Sequence, residues 1–131
     1  MAAPRIFRLV IPVDDIGAAV AFYGAITGSP GERVWRNRHY FRCGDVLLAP
    51  VEPGPDNRDF RPADDQRIIY FAVDDLPATM AAVRAAGPGE IDDEIGEQAW
   101  GERSFYARDA SGNRLCFVAA DTVYTGGQLS E

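Results

Sequence analysis

Histidine is nearly absent: His39 is the only one in 131 residues. A three-His zinc site or a two-His-one-carboxylate iron site needs more imidazoles than one chain owns. Either such a site is built across subunits, or it uses mostly oxygen ligands, or there is no such metal. Cysteine is almost as scarce. Cys43 and Cys116 lie far apart and form no C-x-x-C. Two reduced, structural thiols in a cytoplasmic protein are the expectation. No apolar run nears the roughly 20 residues that cross a bilayer. Met1-Ala2-Ala3-Pro4-Arg5 carries no apolar leader segment, so neither a membrane span nor a secretory signal is expected. Excess positive charge is also missing. The net charge is −7, with an isoelectric point near 4.6. This argues against binding nucleic acid, which needs clustered Lys and Arg to neutralise phosphates.

What is present is a repeat. Leu9-Val10-Ile11-Pro12-Val13-Asp14-Asp15 has an echo in Ile69-Tyr70-Phe71-Ala72-Val73-Asp74-Asp75, sixty residues later. Each is an apolar run ending in Val-Asp-Asp. Each leads into helical spacing: Ile16, Ala19, Val20, Tyr23 and Ile26, then Leu76, Thr79, Met80, Val83 and Ala86. Asp14 or Asp15 suits a helix N-cap, where a carboxylate accepts free N–H groups at the positive end of the dipole. Gly28 and Gly87 stop the helices.

The β signal fills the rest. Strands are expected over 5–12, 32–36, 38–43 and 46–51, with Asn37 and Gly44-Asp45 as turns. Pro12 marks a strand terminus or an edge. The second half repeats the order, with strands over 67–73, 90–98, 102–108 and 114–119. The acidic stretch Glu90, Asp92, Asp93, Glu94 and Glu97 reads as a solvated edge strand that discourages sheet aggregation.

The expected organisation is one domain over 1–131, with module 1 over about 5–52, a Pro-rich linker over 53–65, module 2 over about 66–120 and a tail over 121–131. The fold class is α+β: two β-α-β-β-β modules with facing curved mixed sheets and a central groove. Neither module has enough core to stand alone. The groove, lined by alternate strand side chains, is the place to look for function.

Four features then carry a family resemblance. They are Val-Asp-Asp-Ile with Ala21-Phe22-Tyr23 and Gly28, the repeat Val73-Asp74-Asp75-Leu76, the run Trp100-Gly101-Glu102-Arg103-Ser104-Phe105-Tyr106, and the turn Asp109-Ala110-Ser111-Gly112-Asn113. Together they resemble the vicinal oxygen chelate superfamily, which includes glyoxalase I, bleomycin-resistance proteins, fosfomycin-resistance transferases and extradiol dioxygenases. The resemblance covers roughly residues 5–120. It implies a homodimer and a groove that, in the enzymes, holds a divalent metal. The metal ligands are a His early in the first strand of each module and a Glu in the last strand of each. Counting places these positions at Arg8, Leu48 (give or take one residue), Ile68 and Cys116. Only Cys116 could bind a metal at all. The chain keeps the scaffold and departs from the metal site, which argues against glyoxalase, thiol-transferase or ring-cleaving dioxygenase chemistry. No divalent metal and no other cofactor is expected.

The candidate ligand-binding residues are Arg8, His39, Trp100, Glu102, Arg103, Tyr106 and Cys116. Arg8, if it faces the groove, could pair with a carboxylate or phosphate; a local salt bridge is the plainer role. His39 could be a general base or a hydrogen-bonded strand residue, and either it or Tyr40 faces the groove. Cys116 lies among apolar neighbours, which favours packing over nucleophilicity. Trp100, Arg103, Phe105 and Tyr106 suit either a recognition wall or sheet packing. Glu102 is the carboxylate expected at the groove mouth. The leading reading is a protein that binds a small molecule in its groove without the usual metal. The alternative is a metal-dependent lyase or isomerase with an atypical ligand set that uses Glu97 and Glu102. A scaffold with a self-filled groove is the third.

Overall fold

The computed structural model describes residues 3–54 and 67–125. Most of the expected linker, the start of module 2 at residue 66 and the end of the tail lie outside the described residues. The first half holds β1 (Arg8–Pro12), α1 (Ile16–Thr27), β2 (Glu32–Trp35), β3 (Arg38–Cys43) and β4 (Val46–Val51). The second holds β5 (Ile68–Val73), α2 (Leu76–Ala85), β6 (Glu90–Ile91), β7 (Gly96–Glu97), β8 (Arg103–Arg108) and β9 (Arg114–Ala119). A 3-10 turn over Ala120–Thr122 follows.

The repeat is structural. One sheet runs β1-β4-β3-β2, and the other β5-β9-β8-β6 with β7 also on β8. In each, the first strand pairs in parallel with the last and forms an edge. Pro12 ends β1, so its missing N–H costs the ladder little. Both helices start on the second Asp of Val-Asp-Asp. The Asp15 and Asp75 carboxylates accept from Ala18 N and Ala78 N, each at 3.0 Å. Gly28 closes α1 with φ of 69°, a left-handed turn that a Cβ would strain.

The expected strand over 90–98 is split. Asp92 Oδ2 takes the backbone N–H of Tyr106 at 2.8 Å, filling a ladder position with a side chain. Arg84 on α2 reaches over to donate to Asp93 O at 2.6 Å, and Ile95 packs against the core. The chain therefore bulges between β6 and β7.

One core serves both halves. The helices touch each other, and Phe22, Tyr23, Met80 and Val83 share a core with Ile11, Phe41 and Leu48 from one sheet, Val13 just past β1, and Phe105, Leu115 and Phe117 from the other sheet. Phe117 is the centre of a stack, with Phe71 at 5.1 Å and Phe105 at 4.9 Å between centroids. The Asp109–Asn113 turn hooks the halves together. Asn113 Nδ2 donates to Pro12 O, and Ser111 Oγ accepts from Asp14 N, both at 2.8 Å. Strand alternation leaves a second face on each sheet, turned away from the helices.

Candidate ligand-binding site

On the first sheet that second face carries Arg8 and Tyr40. The Arg8 guanidinium sits 5.6 Å from the Tyr40 ring centre and 5.1 Å from that of Phe7. Arg38 approaches the same Tyr40 ring and donates to its hydroxyl at 3.3 Å. Among the described residues no carboxylate pairs with Arg8, so the expected local salt bridge is replaced by cation–π contact.

His39 faces the other way. It is buried with its ring 4.9 Å from Phe41. Nε2 lies 2.8 Å from Pro30 O, and Arg33 Nε reaches Nδ1 at 3.4 Å. The carbonyl requires a proton on Nε2 and leaves Nδ1 as acceptor, the neutral tautomer. Both nitrogens are used, and Tyr40, the next residue on the strand, lies on the opposite face.

On the second sheet the groove face collects most of the candidates. Tyr70 on β5 stands opposite Cys116 on β9, which stands opposite Tyr106 on β8. Tyr106 hydrogen-bonds Tyr70, and this bond, with burial and the nearby thiol, pushes its phenol well above the ordinary range. Burial pushes the Cys116 thiol up, although hydrogen bonds with Ser104 and Tyr106 pull the other way. Gln98 Nε2 donates to Ser104 Oγ at 3.2 Å, extending the polar row.

Beside this row lies a hollow of about 470 Å³, walled by Tyr70, Trp100, Val118, Val123 and Tyr124 with Glu102 among them. Glu102 is buried. Its Oε1 accepts Trp100 Nε1–H and its Oε2 accepts the backbone N–H of Tyr124, each at 2.8 Å. The tail is thus docked by specific bonds, helped by Thr122 Oγ1, which accepts from Arg103 N at 3.1 Å. A second, more apolar cavity of about 560 Å³ opens between β1 and β5, lined by Leu9, Ile11, Leu48, Ile69 and Phe71 among others. Tyr70 and Phe71 border both.

Of the expected site residues, Trp100, Glu102, Tyr106 and Cys116 come together. Arg8 lies on the other sheet. His39 points into the protein, and Arg103 lines a separate surface hollow with Asp74, Asp75 and Asp121. Phe105 is fully buried in the core. Two aromatic wall residues, Tyr70 and Tyr124, were not singled out from the sequence. Tyr70 shares the strand parity of Ile68, a signal that was available. Tyr124 had none, because its place depends on how the tail folds back.

The matching model for the glyoxalase/bleomycin resistance protein/dioxygenase superfamily covers residues 5–117. The chain belongs to that superfamily. Similar solved structures include a glyoxalase/bleomycin resistance protein from Albidiferax ferrireducens T118, with TM-score 0.73 and 22% identity over 87% of this chain and 98% of that one. A glyoxalase-related enzyme from Fulvimarina pelagi gives 0.74 and 17% over 89% and 88%. Lactoylglutathione lyase from Agrobacterium tumefaciens gives 0.65 and 21% over 92% and 96%. At these identities the likeness establishes the superfamily fold and nothing of substrate. A comparison with curated protein sequences gives no match.

The superfamily's enzymes imply a metal, and the donor set can be tested for one. Arg8 pairs with Leu47, while Leu48 turns into the core, so on β4 the positions sharing the Arg8 face are Leu47 and Ala49. With Ile68 and Cys116 these places offer a guanidinium, alkyl groups and one thiol. Among the described residues no group of three or more His, Cys, Asp or Glu is placed to hold an ion. The residues do not fit a divalent metal.

Proposed function

We propose that this superfamily member binds a small molecule on the groove face of its second sheet, with no resident metal and no other cofactor. The observation that carries the reading is the convergence on one hollow of three exposed aromatic side chains and a buried carboxylate, beside the Tyr70–Tyr106–Cys116 row. Binding pockets combine apolar walls with a few placed polar groups, and this hollow has that composition. Turnover would need a nucleophile, a base or a metal. The thiol is held in its protonated form by burial, and His39 is bonded elsewhere. Binding therefore has more support than catalysis.

A homodimer in the cytoplasm completes the proposal. Ile6, Phe7 and Trp35 are 76%, 61% and 65% exposed in the single chain, apolar surface that a second copy would cover. Among the described residues no helix is long and apolar enough to cross a membrane.

The test is a melting-temperature screen of chelator-free protein against a chemically broad small-molecule panel, with native mass spectrometry of any hit. A ligand that binds only the folded form raises the melting temperature. At least one compound should do so, with the gain reduced in Trp100→Ala. A panel without a single stabilising compound would sink the reading.

A further inference from the structure

The hollow beside Trp100 is lined by aromatic side chains and one carboxylate. Tyr70, Trp100 and Tyr124 are 54%, 51% and 40% exposed, whereas Glu102 is only 7% exposed. Both Glu102 oxygens act as acceptors, the behaviour of the ionised carboxylate. Their donors, an indole N–H and a backbone N–H, are neutral. Arg103, its sequence neighbour, turns to the opposite face beside Asp74, Asp75 and Asp121. Among the described residues Glu102 makes no ion pair. A buried charge with neutral partners alone is uncompensated, and a cation next to it is favoured. The exposed rings point the same way, since an aromatic face attracts positive charge and indole does so best.

The kind of cation follows from what the hollow lacks. A metal ion needs several oxygen ligands, and Glu102 supplies a single carboxylate already bonded twice. A primary ammonium or a guanidinium brings several N–H donors that need acceptors. An ammonium whose hydrogens are replaced by alkyl groups needs none. Its methyl groups would sit against Val118, Val123 and the rings. We propose that this hollow is a cage for a fully alkylated ammonium group, so that the ligand is a small molecule bearing a quaternary ammonium. This rests on the binding reading for the same site and adds the ligand's charge and class. The cage is preorganised, because Glu102 fixes the Trp100 ring and the chain at Tyr124 together.

The probe is choline, compared with its uncharged isostere in which carbon replaces the nitrogen. The reporter is Trp100 emission in full-length Trp35→Phe protein, which leaves Trp100 as the only tryptophan. Choline should change the emission saturably, and the isostere should bind about tenfold more weakly or worse. In that background Glu102→Gln removes the charge and one of the two acceptors that hold the walls; choline should weaken by about tenfold and lose most of its advantage over the isostere. Tyr124→Ala keeps the backbone N–H and removes one wall; it should weaken choline several-fold, and it stands in if Glu102→Gln fails to fold by circular dichroism. Equal binding of choline and isostere overturns the proposal, as does choline affinity that survives both substitutions. No response to choline while another panel compound stabilises the protein overturns the ammonium class but not the binding reading. No binding by any compound overturns both.

Discussion

The Tyr23 hydroxyl donates to Asp109 Oδ2 at 2.7 Å, joining the first helix to a turn 86 residues later. The same Oδ2 accepts from Asn113 Nδ2 at 2.8 Å, and Oδ1 takes the backbone N–H groups of Ser111 and Asn113 at 3.0 and 2.9 Å. Four donors satisfy one buried carboxylate. Asn113 uses its second amide hydrogen on Pro12 O. The Asp-x-Ser-Gly-Asn turn is therefore a clamp between the modules. Gly112, at φ of 90°, gives it the tight bend.

Removing one arm of this clamp leaves a buried carboxylate short of a donor. Tyr23→Phe should destabilise the protein by about 1–3 kcal/mol and Asp109→Ala by more, about 3–5 kcal/mol. Urea denaturation measures both. The Tyr23→Phe/Asp109→Asn double-mutant cycle should show coupling of more than about 0.5 kcal/mol. Additive effects would mean that the bond contributes nothing.

The same pair sets an alkaline limit. Burial first, and then the Asp109 charge and hydrogen bond, push the Tyr23 phenol well above its ordinary value of 10.0. Below that value both folded and unfolded chains hold the proton, and this contribution is fully present. Above it the unfolded chain ionises first, so stability falls by up to about 1.4 kcal/mol per pH unit for each such group. Tyr106 is raised too, chiefly by its hydrogen bond to Tyr70, but it is more exposed than Tyr23 and adds less to the slope. Stability against urea should drop above pH 10 or so, less steeply in Tyr23→Phe. An identical slope in the variant would refute the assignment.

Both thiols are raised by burial. The nucleophile is the thiolate, so a raised value and poor access both slow reaction. At neutral pH Cys116 should react with a disulfide reagent far more slowly than a free cysteine, at a rate that climbs when urea is added. Rapid modification of the native protein at Cys116 would restore it as a candidate nucleophile.

The donor set at the superfamily's metal positions predicts indifference to divalent ions. EDTA should leave the melting temperature of chelator-free protein unchanged, and zinc, nickel or manganese should not raise it. Native mass should show no stoichiometric metal. A shift of several degrees on adding one ion, reversed by EDTA, would reveal ligands other than those counted here.

Alternation made part of the site readable in advance. Tyr106 and Ser104 had to face opposite to Phe105, and Tyr40 opposite to His39, because strand side chains alternate. Alternation alone did not say which parity faced the groove. That was decided by where α1 and α2 settled: His39 and Phe105 lie on the helix side, Tyr40 and Tyr106 on the other. The broken strand between β6 and β7 escaped the pattern for a similar reason. Arg84 on α2 and the Asp92 side chain hold it, and both contacts are tertiary.

The sequence by itself determined the two-module scaffold, its helix starts and the superfamily. Period-two and helical spacing, Asp caps and Gly stops are local, and they repeat. Residue identity also decides donor chemistry, and at Arg8, Ile68 and Cys116 it offers a guanidinium, an alkyl group and a thiol. Only the tertiary structure decided the aromatic hollow. Tyr70, Trp100 and Tyr124 come from a strand, a loop and the tail, and one buried carboxylate, Glu102, gathers the last two. Such a meeting of distant segments depends on long-range packing, which leaves no period in the chain.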